Sequence, residues 1–517
     1  MASAQSFLGA YKKGELGDFF ARASIEDVRS LPKNLNRAIL ASALGRYARK
    51  LDAPRAVFSS IERLEHKKSY AVVTGQQAGL LLGPTYTLSK AVSAINLAKA
   101  LSTDDRPVIP IFWVASQDHD TDEINHTYVL DLDESLKRLE LGLPGGVPAG
   151  RIAFQDAYLE TIHADLETLT VKEAHSREVK TLLKEAATLS ETYADFFASL
   201  LYQLLGHTGL VVLNPLEEDI AILFKPVLEH EIKHPLVSAQ KINEVGQRLS
   251  QLGFTPQLGR GAGASNLFLE ETNGTPKRQL LRYDEQFFTE DSRYTKEELL
   301  TLLDKTPSRI TPAAGLRPIT QDSILPTLAT VVGPGELKYF AQLKGVYDFH
   351  EIAMPYIHPR MSATILEPPV KRILEKFELT YEAFVKDPDG IKESILLDLS
   401  GLGQAFEKTT EALNKQLSEL TEHIRDIDPS LERTVLRAEG YFEKTLEVLR
   451  TKTAKALVRE DAIYTRQLKR LEAHLLPLGT PQERLLSPFS FFLKFGVDYV
   501  TEQFLNLPAK GTQVLEF

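Results

Sequence analysis

The segment of residues 70–126 decides the fold of this chain. It opens with the apolar run Tyr70-Ala71-Val72-Val73, followed by the turn Thr74-Gly75-Gln76-Gln77-Ala78-Gly79. A helical pattern then covers residues 85 to about 101, and a second apolar run extends over residues 108–115. A strand, a glycine-containing turn, a helix and a strand in this order form the first half of a doubly wound parallel α/β sheet. We therefore expect an α/β core built on this segment.

Polar residues follow both of these predicted strands. Gln76 and Gln77 follow the first strand, and the second leads into Asp118-His119-Asp120. Asp122, Asn125 and His126 come shortly afterwards. In doubly wound sheets, ligands bind outside the carboxyl ends of the strands. The sequence therefore predicts a binding site at this edge of the sheet.

Three later apolar runs predict further strands, at residues 210–213, 328–332 and 354–357. The second of these runs leads into Gly333-Pro334-Gly335-Glu336, and the third leads into His358-Pro359-Arg360. An arginine at a strand end can hold a carboxylate or a phosphate by two parallel hydrogen bonds. Arg360 is therefore a candidate binding residue, as is Arg317, which precedes the run at 328–332.

Two segments are predicted to be insertions between strands of the sheet. Residues of about 140–206 are mostly helical, and residues of about 235–310 form the second insertion. Within the second, the apolar segments 267–269 and 279–281 flank Asn273-Gly274, which predicts a β-hairpin. The glycine-rich run Gly259-Arg260-Gly261-Ala262-Gly263 is expected to be a flexible turn.

Long helices replace this pattern after Lys386-Asp387-Pro388-Asp389-Gly390, whose turn residues predict a domain boundary between residues 1–386 and 387–480. Asp428-Pro429 joins two of these helices, with Asp as cap and Pro in the first turn. The first helix carries a heptad seam on Phe406, Leu413, Leu417, Leu420, Ile424 and Ile427. The return helix has its apolar stripe on Leu431, Val435, Ala438, Phe442, Leu449, Ala456 and Ile463. We expect an antiparallel coiled coil in which apolar positions such as Leu446 and Val448 are left for a second copy of the chain to cover. The tail, residues 481–517, is expected to pack back on the core.

Composition excludes several classes of protein. A net charge of −10 argues against nucleic acid as the main partner, because binding a phosphate backbone needs a basic surface. No apolar run approaches the length of a membrane span, and the first residues lack a signal-peptide pattern. We expect a cytoplasmic protein without a membrane partner. The absence of cysteine excludes disulfides, thiolate metal ligands and a thiol nucleophile.

Three interpretations apply to the cluster around His119. A metal site is disfavoured because His119 and His126 do not have a usual ligand spacing, so we assign no metal. As a functional site, His119 is a general base or acid whose ring is oriented by Asp118 or Asp122. As a structural loop, Asp118 and His119 satisfy buried backbone groups. The last two interpretations stay open on sequence alone.

The glycine turns have two interpretations of their own. Gly75 and Gly79 match neither the dinucleotide fingerprint nor a P-loop. Glycines at a strand end, here also Gly333 and Gly335, allow backbone amides to approach an anion. They are equally compatible with plain strand-to-helix connections.

Side chains at the starts of the following helices are further candidates. Tyr86 and Lys90 lie in the first turns of the helix after residue 85, where they either contact a ligand or face solvent. A further alternative for Lys90 is that it only closes a salt bridge. Glu336 either binds substrate or only stabilises the start of its own helix. Their position at the ends of successive strands favours a shared crevice.

The order of the motifs resembles the bacillithiol biosynthesis cysteine-adding enzymes, the BshC family. Its opening motifs are matched by Thr74-Gly75-Gln76-Gln77-Ala78-Gly79, Gly83-Pro84, Phe112-Trp113-Val114-Ala115-Ser116, Asp118-His119-Asp120 and Glu123-Ile124-Asn125-His126. Later matches are Leu316-Arg317-Pro318, Gly333-Pro334-Gly335-Glu336, Pro359-Arg360, Pro481-Gln482-Glu483-Arg484 and Phe495-Gly496. The resemblance covers nearly the whole chain.

This resemblance implies a Rossmann-like core with connecting insertions, followed by a coiled coil through which such proteins form homodimers. It also implies the last step of bacillithiol synthesis, in which the carboxyl group of cysteine is joined to the amine of glucosaminyl-malate. A carboxylate does not acylate an amine unaided, so we expect activation by ATP or a related nucleotide, with Mg²⁺ if the nucleotide brings it. The competing hypothesis is a coiled-coil scaffold protein with a vestigial or sensory nucleotide-binding core.

Overall fold

A computed structural model describes residues 6–22, 24–25, 35–131, 133–169, 173–271, 276–460 and 462–517. The chain divides into two compact units. The first contains Met1–Ala363 and Glu483–Leu515, and the second contains Thr364–Gln482 and Glu516–Phe517. Across the described part of the chain, no helix combines the length and the apolar character that a membrane crossing needs.

The strands of the described residues, in chain order, are β1 (Tyr70–Gln76), β2 (Val108–Val114), β3 (His126–Leu130), β4 (Leu136–Glu140), β5 (Val211–Leu213), β6 (Ala264–Glu271), β7 (Lys277–Asp284), β8 (Gln286–Phe288), β9 (Arg293–Tyr294), β10 (Ile310–Pro312), β11 (Thr327–Val332), β12 (Tyr356–Pro359), β13 (Ser362–Leu366) and β14 (Thr512–Glu516).

The α-helices, in the same order, are α1 (Phe7–Lys12), α2 (Arg37–Lys50), α3 (Arg55–Leu64), α4 (Tyr86–Leu101), α5 (Thr121–Ile124), α6 (Asp156–Glu167), α7 (Glu173–Thr188), α8 (Tyr193–Leu205), α9 (Glu218–Ala221), α10 (Lys225–Lys233), α11 (Val237–Gln251), α12 (Lys296–Lys305), α13 (Arg317–Ile324), α14 (Pro334–Phe340), α15 (Lys344–Phe349), α16 (Pro368–Lys376), α17 (Tyr381–Lys386), α18 (Pro388–Leu399), α19 (Leu402–Ile427), α20 (Glu432–Glu460), α21 (Ala462–Leu475), α22 (Phe489–Phe495) and α23 (Val497–Leu505). Short 3₁₀ turns connect several of them, including Gln482–Arg484.

The predicted parallel sheet is confirmed, and it forms the centre of the first unit. Its strand order is β12-β11-β1-β2-β5, and all four strand pairs are parallel. The chain moves from β1 outward to β2 and β5, and later returns to the other side of β1 as β11 and β12. The strand order therefore reverses next to β1, which is where doubly wound sheets bind their ligands.

Helix α4 connects β1 to β2 and is buried along almost its whole length. Its mixture of small and branched residues lets it pack closely on the sheet, with Ala94, Leu97 and Ala98 against Val72 and Val108. Parallel neighbouring strands need such a crossover, which explains why a helical pattern separates the two apolar runs.

Two segments separate the strands of this sheet. Elements α5 to α8, with the hairpin β3–β4, lie between β2 and β5, and elements α9 to α13, with strands β6 to β10, lie between β5 and β11. The second segment contains a sheet of order β10-β6-β7-β8-β9. The predicted hairpin is present as the antiparallel pair β6–β7, with Leu269 opposite Gln279. Its expected turn, Asn273-Gly274, lies outside the described residues.

The second unit begins earlier than the predicted boundary at residue 386. Helices α16 and α17, which precede that position, share one apolar core with α18 and α21 through Val370, Phe384, Leu396 and Leu471. Asp387 accepts a hydrogen bond from Gly390 N and caps α18, so the turn residues mark a connection inside the unit. The tail residues Glu483–Leu515 belong to the first unit.

The predicted helical hairpin is present as α19 and α20, which are joined through Asp428 and a 3₁₀ turn at Pro429–Leu431. In α19, Phe406, Leu413, Leu417 and Ile424 are partly buried, whereas Leu420 and Ile427 are exposed. The apolar stripe predicted on α20 is confirmed in part: Val435 is buried and Ala438 is partly buried, but Leu431 and Ala456 are exposed. Leu446 is partly buried beside Phe406, while Phe442 and Leu449 are 46% and 53% exposed. Ile463 lies among the side chains that the structure leaves undescribed.

Candidate active site

A cavity of about 480 Å³ opens at the carboxyl ends of β1, β2 and β11, in the first unit. Strand β1 contributes Gly75 and Gln76, and β2 contributes Trp113. Helix α14 contributes Glu336, and the insertion between β5 and β11 forms the opposite wall. The cavity therefore lies where the strand order of the sheet reverses.

Most of the candidate residues predicted from the sequence lie around this one cavity. They are Gly75, Gln76, Gln77, Tyr86, Lys90, Asp118, His119, Arg317, Gly333, Gly335, Glu336 and Arg360. The structure does not bring Gly79, Asp122, Asn125 or His126 into its lining. His126 begins β3, where its Nδ1 lies 3.0 Å from Asn125 Oδ1, and Asp122 is exposed.

Two glycines of the first turn have structural reasons for being glycine. A Cβ on Gly75 would lie 2.6 Å from the carbonyl oxygen of Trp113, so β1 and β2 require a residue without a side chain there. A Cβ on Gly79 would lie 3.0 Å from Gly83 Cα, and Gly83 itself has a φ of +64°. These contacts favour the interpretation of Gly79 as a turn residue.

Lys90 is buried beneath the cavity, not facing solvent. Its ammonium group donates hydrogen bonds to Gly75 O at 2.8 Å and to Gln76 Oε1 at 2.9 Å, and it forms an ion pair with Glu336. Burial lowers the pKa of Lys90, and the carboxylate of Glu336 opposes that effect. Glu336 also accepts a hydrogen bond from Gly333 N at 2.8 Å, so Lys90 and Glu336 together join the ends of β1 and β11.

Asp118 holds the loop that follows β2. Its Oδ1 accepts hydrogen bonds from the backbone amides of His119 and Asp120, at 2.8 and 3.3 Å. Its Oδ2 accepts a hydrogen bond from Gln77 Nε2 at 2.8 Å. The carboxylate oxygen nearest to the imidazole is 3.9 Å from His119 Nδ1. Asp118 thus fixes the backbone of the loop, as the structural interpretation predicts, and it does not orient the ring.

The imidazole of His119 is oriented by Arg278, a residue of β7. Arg278 Nη1 lies 3.3 Å from His119 Nδ1, and both side chains pack on the ring of Phe268. A guanidinium group only donates hydrogen bonds, so Nδ1 must be the acceptor and the proton of the neutral ring must be on Nε2. Burial, together with the charge of Arg278, lowers the pKa of His119. The ring is therefore neutral at pH 7 and presents an N–H donor.

Arg360 makes the two parallel hydrogen bonds predicted for it, but the partner is a residue of the chain. Its Nη1 and Nη2 donate to the two carboxylate oxygens of Glu483, each at 2.8 Å. The buried Nε of Arg360 has no hydrogen-bond partner among the described residues. Arg317 donates to Gln321 Oε1 and to the hydroxyl group of Tyr339, whose pKa burial raises to about 12.

Comparison with known proteins decides the family. Residues 4–361 match the family model "Bacillithiol biosynthesis BshC, N-terminal Rossmann-like domain", and residues 363–513 match "Bacillithiol biosynthesis BshC, C-terminal coiled-coil domain". The chain belongs to the BshC family. The family predicted from the sequence motifs is thereby confirmed, as are the Rossmann-like core and the coiled coil.

Curated relatives that match most of this chain carry the name "Putative cysteine ligase BshC". One from Thermus thermophilus is 41% identical over 88% of this chain and 90% of its own length. That of Salinibacter ruber is 33% identical over 84% of this chain and 80% of its own length. That of Bacillus pumilus is 30% identical over 91% of this chain and 88% of its own length. The predicted cysteine ligase family of bacillithiol biosynthesis is confirmed.

Several residues of this BshC site were not predicted from the sequence. Trp113, Gln117, Arg260, Phe268, Arg278, Tyr339 and Arg484 also line the cavity. Arg260, Phe268 and Arg278 belong to the insertion after β5, and Arg484 belongs to the tail. The signal for Arg484 was its place in the Pro481-Gln482-Glu483-Arg484 motif. No local pattern marks Arg278, because its role depends on how β7 packs over the sheet.

The lining of the BshC cavity is strongly cationic although the chain as a whole is acidic. Among the described residues it holds five arginines and Lys90, against the carboxylates of Asp118 and Glu336. The chain has a formal net charge of −10. No group of three or more His, Asp or Glu side chains in the described ranges is placed to hold a metal ion. This arrangement suits an anionic ligand.

Proposed function

We propose that this chain joins the carboxyl group of cysteine to the amine of glucosaminyl-malate, the last step of bacillithiol biosynthesis. The observation that supports this proposal most directly is the cationic cavity at the ligand-binding edge of the sheet. Cysteine carries a carboxylate at neutral pH, and the malate part of the acceptor carries two more. Such groups lose hydration on entering a cavity and need fixed positive charges to compensate.

Activation of the cysteine carboxylate is proposed to depend on ATP or a related nucleotide. When bound, the nucleotide would supply the phosphate leaving group that turns a carboxylate into an acyl donor. The cavity fits oxyanions of this kind, since Arg260 and Arg360 line it and each has a buried nitrogen, Nη2 and Nε respectively, without a hydrogen-bond partner among the described residues. The two carboxylates of the lining, Asp118 and Glu336, already accept hydrogen bonds within the chain. Mg²⁺ would therefore be brought into the cavity by the phosphates of the nucleotide.

His119 is proposed to act as a hydrogen-bond donor, through Nε2, to an oxygen that gains negative charge when the amide bond forms. Arg278 donates a hydrogen bond to Nδ1, so the proton of the neutral ring is on Nε2. The sequence alone suggested a general base or acid, and that role needs a ring nitrogen that exchanges a proton with substrate. A neutral donor of fixed orientation instead stabilises a developing oxyanion.

We also propose a cytoplasmic homodimer that forms through the coiled coil. An exposed apolar stripe lies on α20 and the turn before it, beside the contact with α19. It comprises Leu431, Phe442 and Leu449, at 43%, 46% and 53% exposure. A single helical hairpin leaves this stripe in water, which is unfavourable for three large apolar side chains. A second copy of the same helix would cover it.

A strain that encodes this chain allows the ligase to be distinguished from the scaffold hypothesis. Deletion of the gene should abolish bacillithiol and cause glucosaminyl-malate to accumulate, both measured by mass spectrometry of thiol-labelled extracts. Complementation with the wild-type chain should restore bacillithiol, while a His119→Ala chain of equal abundance should restore much less. Normal bacillithiol in the deletion strain would favour a scaffold whose nucleotide-type core has no catalytic task.

A further inference from the structure

Arg260 is held more firmly than its sequence context suggests. It lies in the run Gly259-Arg260-Gly261-Ala262-Gly263, which has no helix or strand at the arginine. Both backbone groups of Arg260 are nevertheless bound by one side chain. Its amide donates to Asn243 Oδ1 at 2.9 Å, and its carbonyl accepts from Asn243 Nδ2 at 2.8 Å. The glycine-rich loop is therefore fixed at its one long side chain.

The guanidinium group of Arg260 is only partly satisfied by the protein. Its Nε donates to Asn266 Oδ1 at 2.7 Å. Its Nη2 is buried and has no hydrogen-bond partner among the described residues, and Arg260 is one of the residues that line the cavity. A buried donor without an acceptor is costly, and native proteins rarely keep one without a function.

A directed chain of hydrogen bonds determines the orientation of that guanidinium. As a carboxylate, Glu231 only accepts hydrogen bonds, and its Oε2 accepts one from the hydroxyl group of Ser238 at 2.8 Å. The Ser238 oxygen must then accept from Asn266 Nδ2, at 2.7 Å. This contact turns Asn266 Oδ1 toward Arg260. Glu231 is itself held by His350 Nε2 at 2.8 Å, and both side chains are almost fully buried.

Gly315 packs closely beside the end of Arg260. A Cβ on Gly315 would lie 2.5 Å from Ile242 Cδ1, 3.1 Å from Asn266 Oδ1 and 3.5 Å from Arg260 Nη2. A side chain at Gly315 would therefore clash with Ile242 and crowd the contact between Asn266 and Arg260. Unlike Arg260, Arg278 donates through all three of its nitrogens, to Thr311, Pro312 and His119.

We propose that Arg260 binds an oxyanion of a substrate, and that Asn266 is the positioning residue that aims it. This inference rests on the proposed function for the identity of the substrates. The shared chemistry is an oxygen anion, which either a carboxylate of the malate part or a phosphate of the nucleotide can supply. Arg260 Nη2 donates to that oxygen, and the chain through Asn266, Ser238 and Glu231 holds the donor in place before the ligand arrives.

The test is calorimetric titration of the full-length chain with two probes, L-malate and inorganic triphosphate. Arg260→Gln should weaken the binding of one probe by roughly 10- to 100-fold, the usual effect of losing a hydrogen bond to a charged group. Loss of malate affinity identifies the carboxylate, and loss of triphosphate affinity identifies the phosphate. Arg282→Gln is the matched control, because Arg282 is an exposed arginine of the same insertion that does not line the cavity.

Two further variants keep the test decisive. Arg260→Lys keeps the charge but loses the paired N–H donors of the guanidinium group, so it should recover only part of the lost affinity. It replaces Arg260→Gln as the test variant if the glutamine variant does not fold. Asn266→Ala should weaken binding of the same probe as Arg260→Gln does. In the ligase assay it should raise KM for the substrate that carries the same anionic group more than it lowers kcat. A purely structural role for Asn266 would reduce the amount of folded protein without this selectivity.

Unchanged affinity for both probes in the Arg260 variants would overturn the proposal, as would a wild-type chain that binds neither probe at millimolar concentration. Because these titrations require no turnover, they are independent of the reaction itself. A chain that binds malate through Arg260 but forms no amide would contradict the proposed function and leave the anion site intact.

Discussion

At the scale of single residues, the account depends most on His119 and its partner Arg278. If His119 donates from Nε2, His119→Ala should lower kcat by roughly 10²- to 10³-fold, the usual effect of losing one such donor. His119→Asn keeps an N–H donor and should recover at least part of that loss. The measurement is turnover per folded molecule, with circular dichroism as the control for folding. Equal loss in both variants would favour proton transfer by the ring.

The pH dependence of activity tests the same assignment. Burial and Arg278 lower the pKa of His119 below its ordinary value of 6.5. In the unfolded chain this ring is half charged at pH 6.5, whereas in the folded chain it becomes half charged only at a lower pH. We expect kcat to stay level from about pH 8 to 6.5 with respect to this group and to fall below that range. Arg278→Met removes a charge that lowers the pKa of His119, so the fall of kcat on the acidic side of the pH profile should move upward, toward pH 6.5.

Lys90 was predicted as a ligand-binding candidate, and its contacts indicate a structural role instead. Three acceptors of the chain surround its ammonium group. Lys90→Met should lower the free energy of unfolding by about 3 kcal/mol, since it leaves buried acceptors and the Glu336 charge without their partner. Chemical denaturation measures this value. A variant of normal stability that no longer binds nucleotide would show that Lys90 contacts the ligand.

At the scale of secondary-structure elements, the junction of β1 and β2 gives a clear comparison between two glycines. Gly75→Ala should lower the free energy of unfolding by about 3 kcal/mol, because its Cβ would meet the Trp113 carbonyl group. Gly335 also lines the cavity but has nothing within 4 Å of a Cβ, so Gly335→Ala should change stability by less than about 1 kcal/mol. Thermal and denaturant unfolding check both values. Equal stability of the two variants would contradict the close approach of β1 to β2.

The strands were predictable from the sequence because each is a short apolar run between turn residues. The side of the cavity formed by the parallel sheet was predictable for the same reason. The carboxyl ends of parallel strands meet at one edge, and this brings Gln76, His119 and Glu336 together. The opposite wall was not predictable. Arg260 and Arg278 reach the cavity only because the sheet of the insertion packs over it, and no local pattern encodes that packing.

The coiled coil shows a second limit of sequence patterns. Apolar residues on α20 occupy two adjacent stripes, and heptad spacing fits either of them. The stripe of Phe442 and Leu449 was predicted to face α19, but Leu446 is the residue that is partly buried there. Heptad periodicity fixes the helix and its approximate face, whereas the contact itself depends on how the neighbouring helix packs.

At the scale of the whole molecule, the exposed stripe predicts how copies of the chain associate. Phe442→Ser combined with Leu449→Ser should convert the proposed dimer to a monomer at micromolar concentration without loss of helix content. The matched control is Leu436→Ser with Tyr441→Ser, two exposed apolar residues on other faces of the same helix. Sedimentation velocity distinguishes the outcomes. A wild-type monomer, or a dimer that survives the stripe variant, would rule out this interface.

The most direct test of the central claim is amide formation by the purified chain. Cysteine, glucosaminyl-malate, ATP and Mg²⁺ are incubated with the enzyme, and the product is measured by mass spectrometry while nucleotide consumption is followed in parallel. The account predicts bacillithiol only when both substrates and the nucleotide are present, with product and consumed nucleotide in equal amounts. Folded wild-type chain that forms no amide from these components, with ATP or another nucleoside triphosphate, would contradict it.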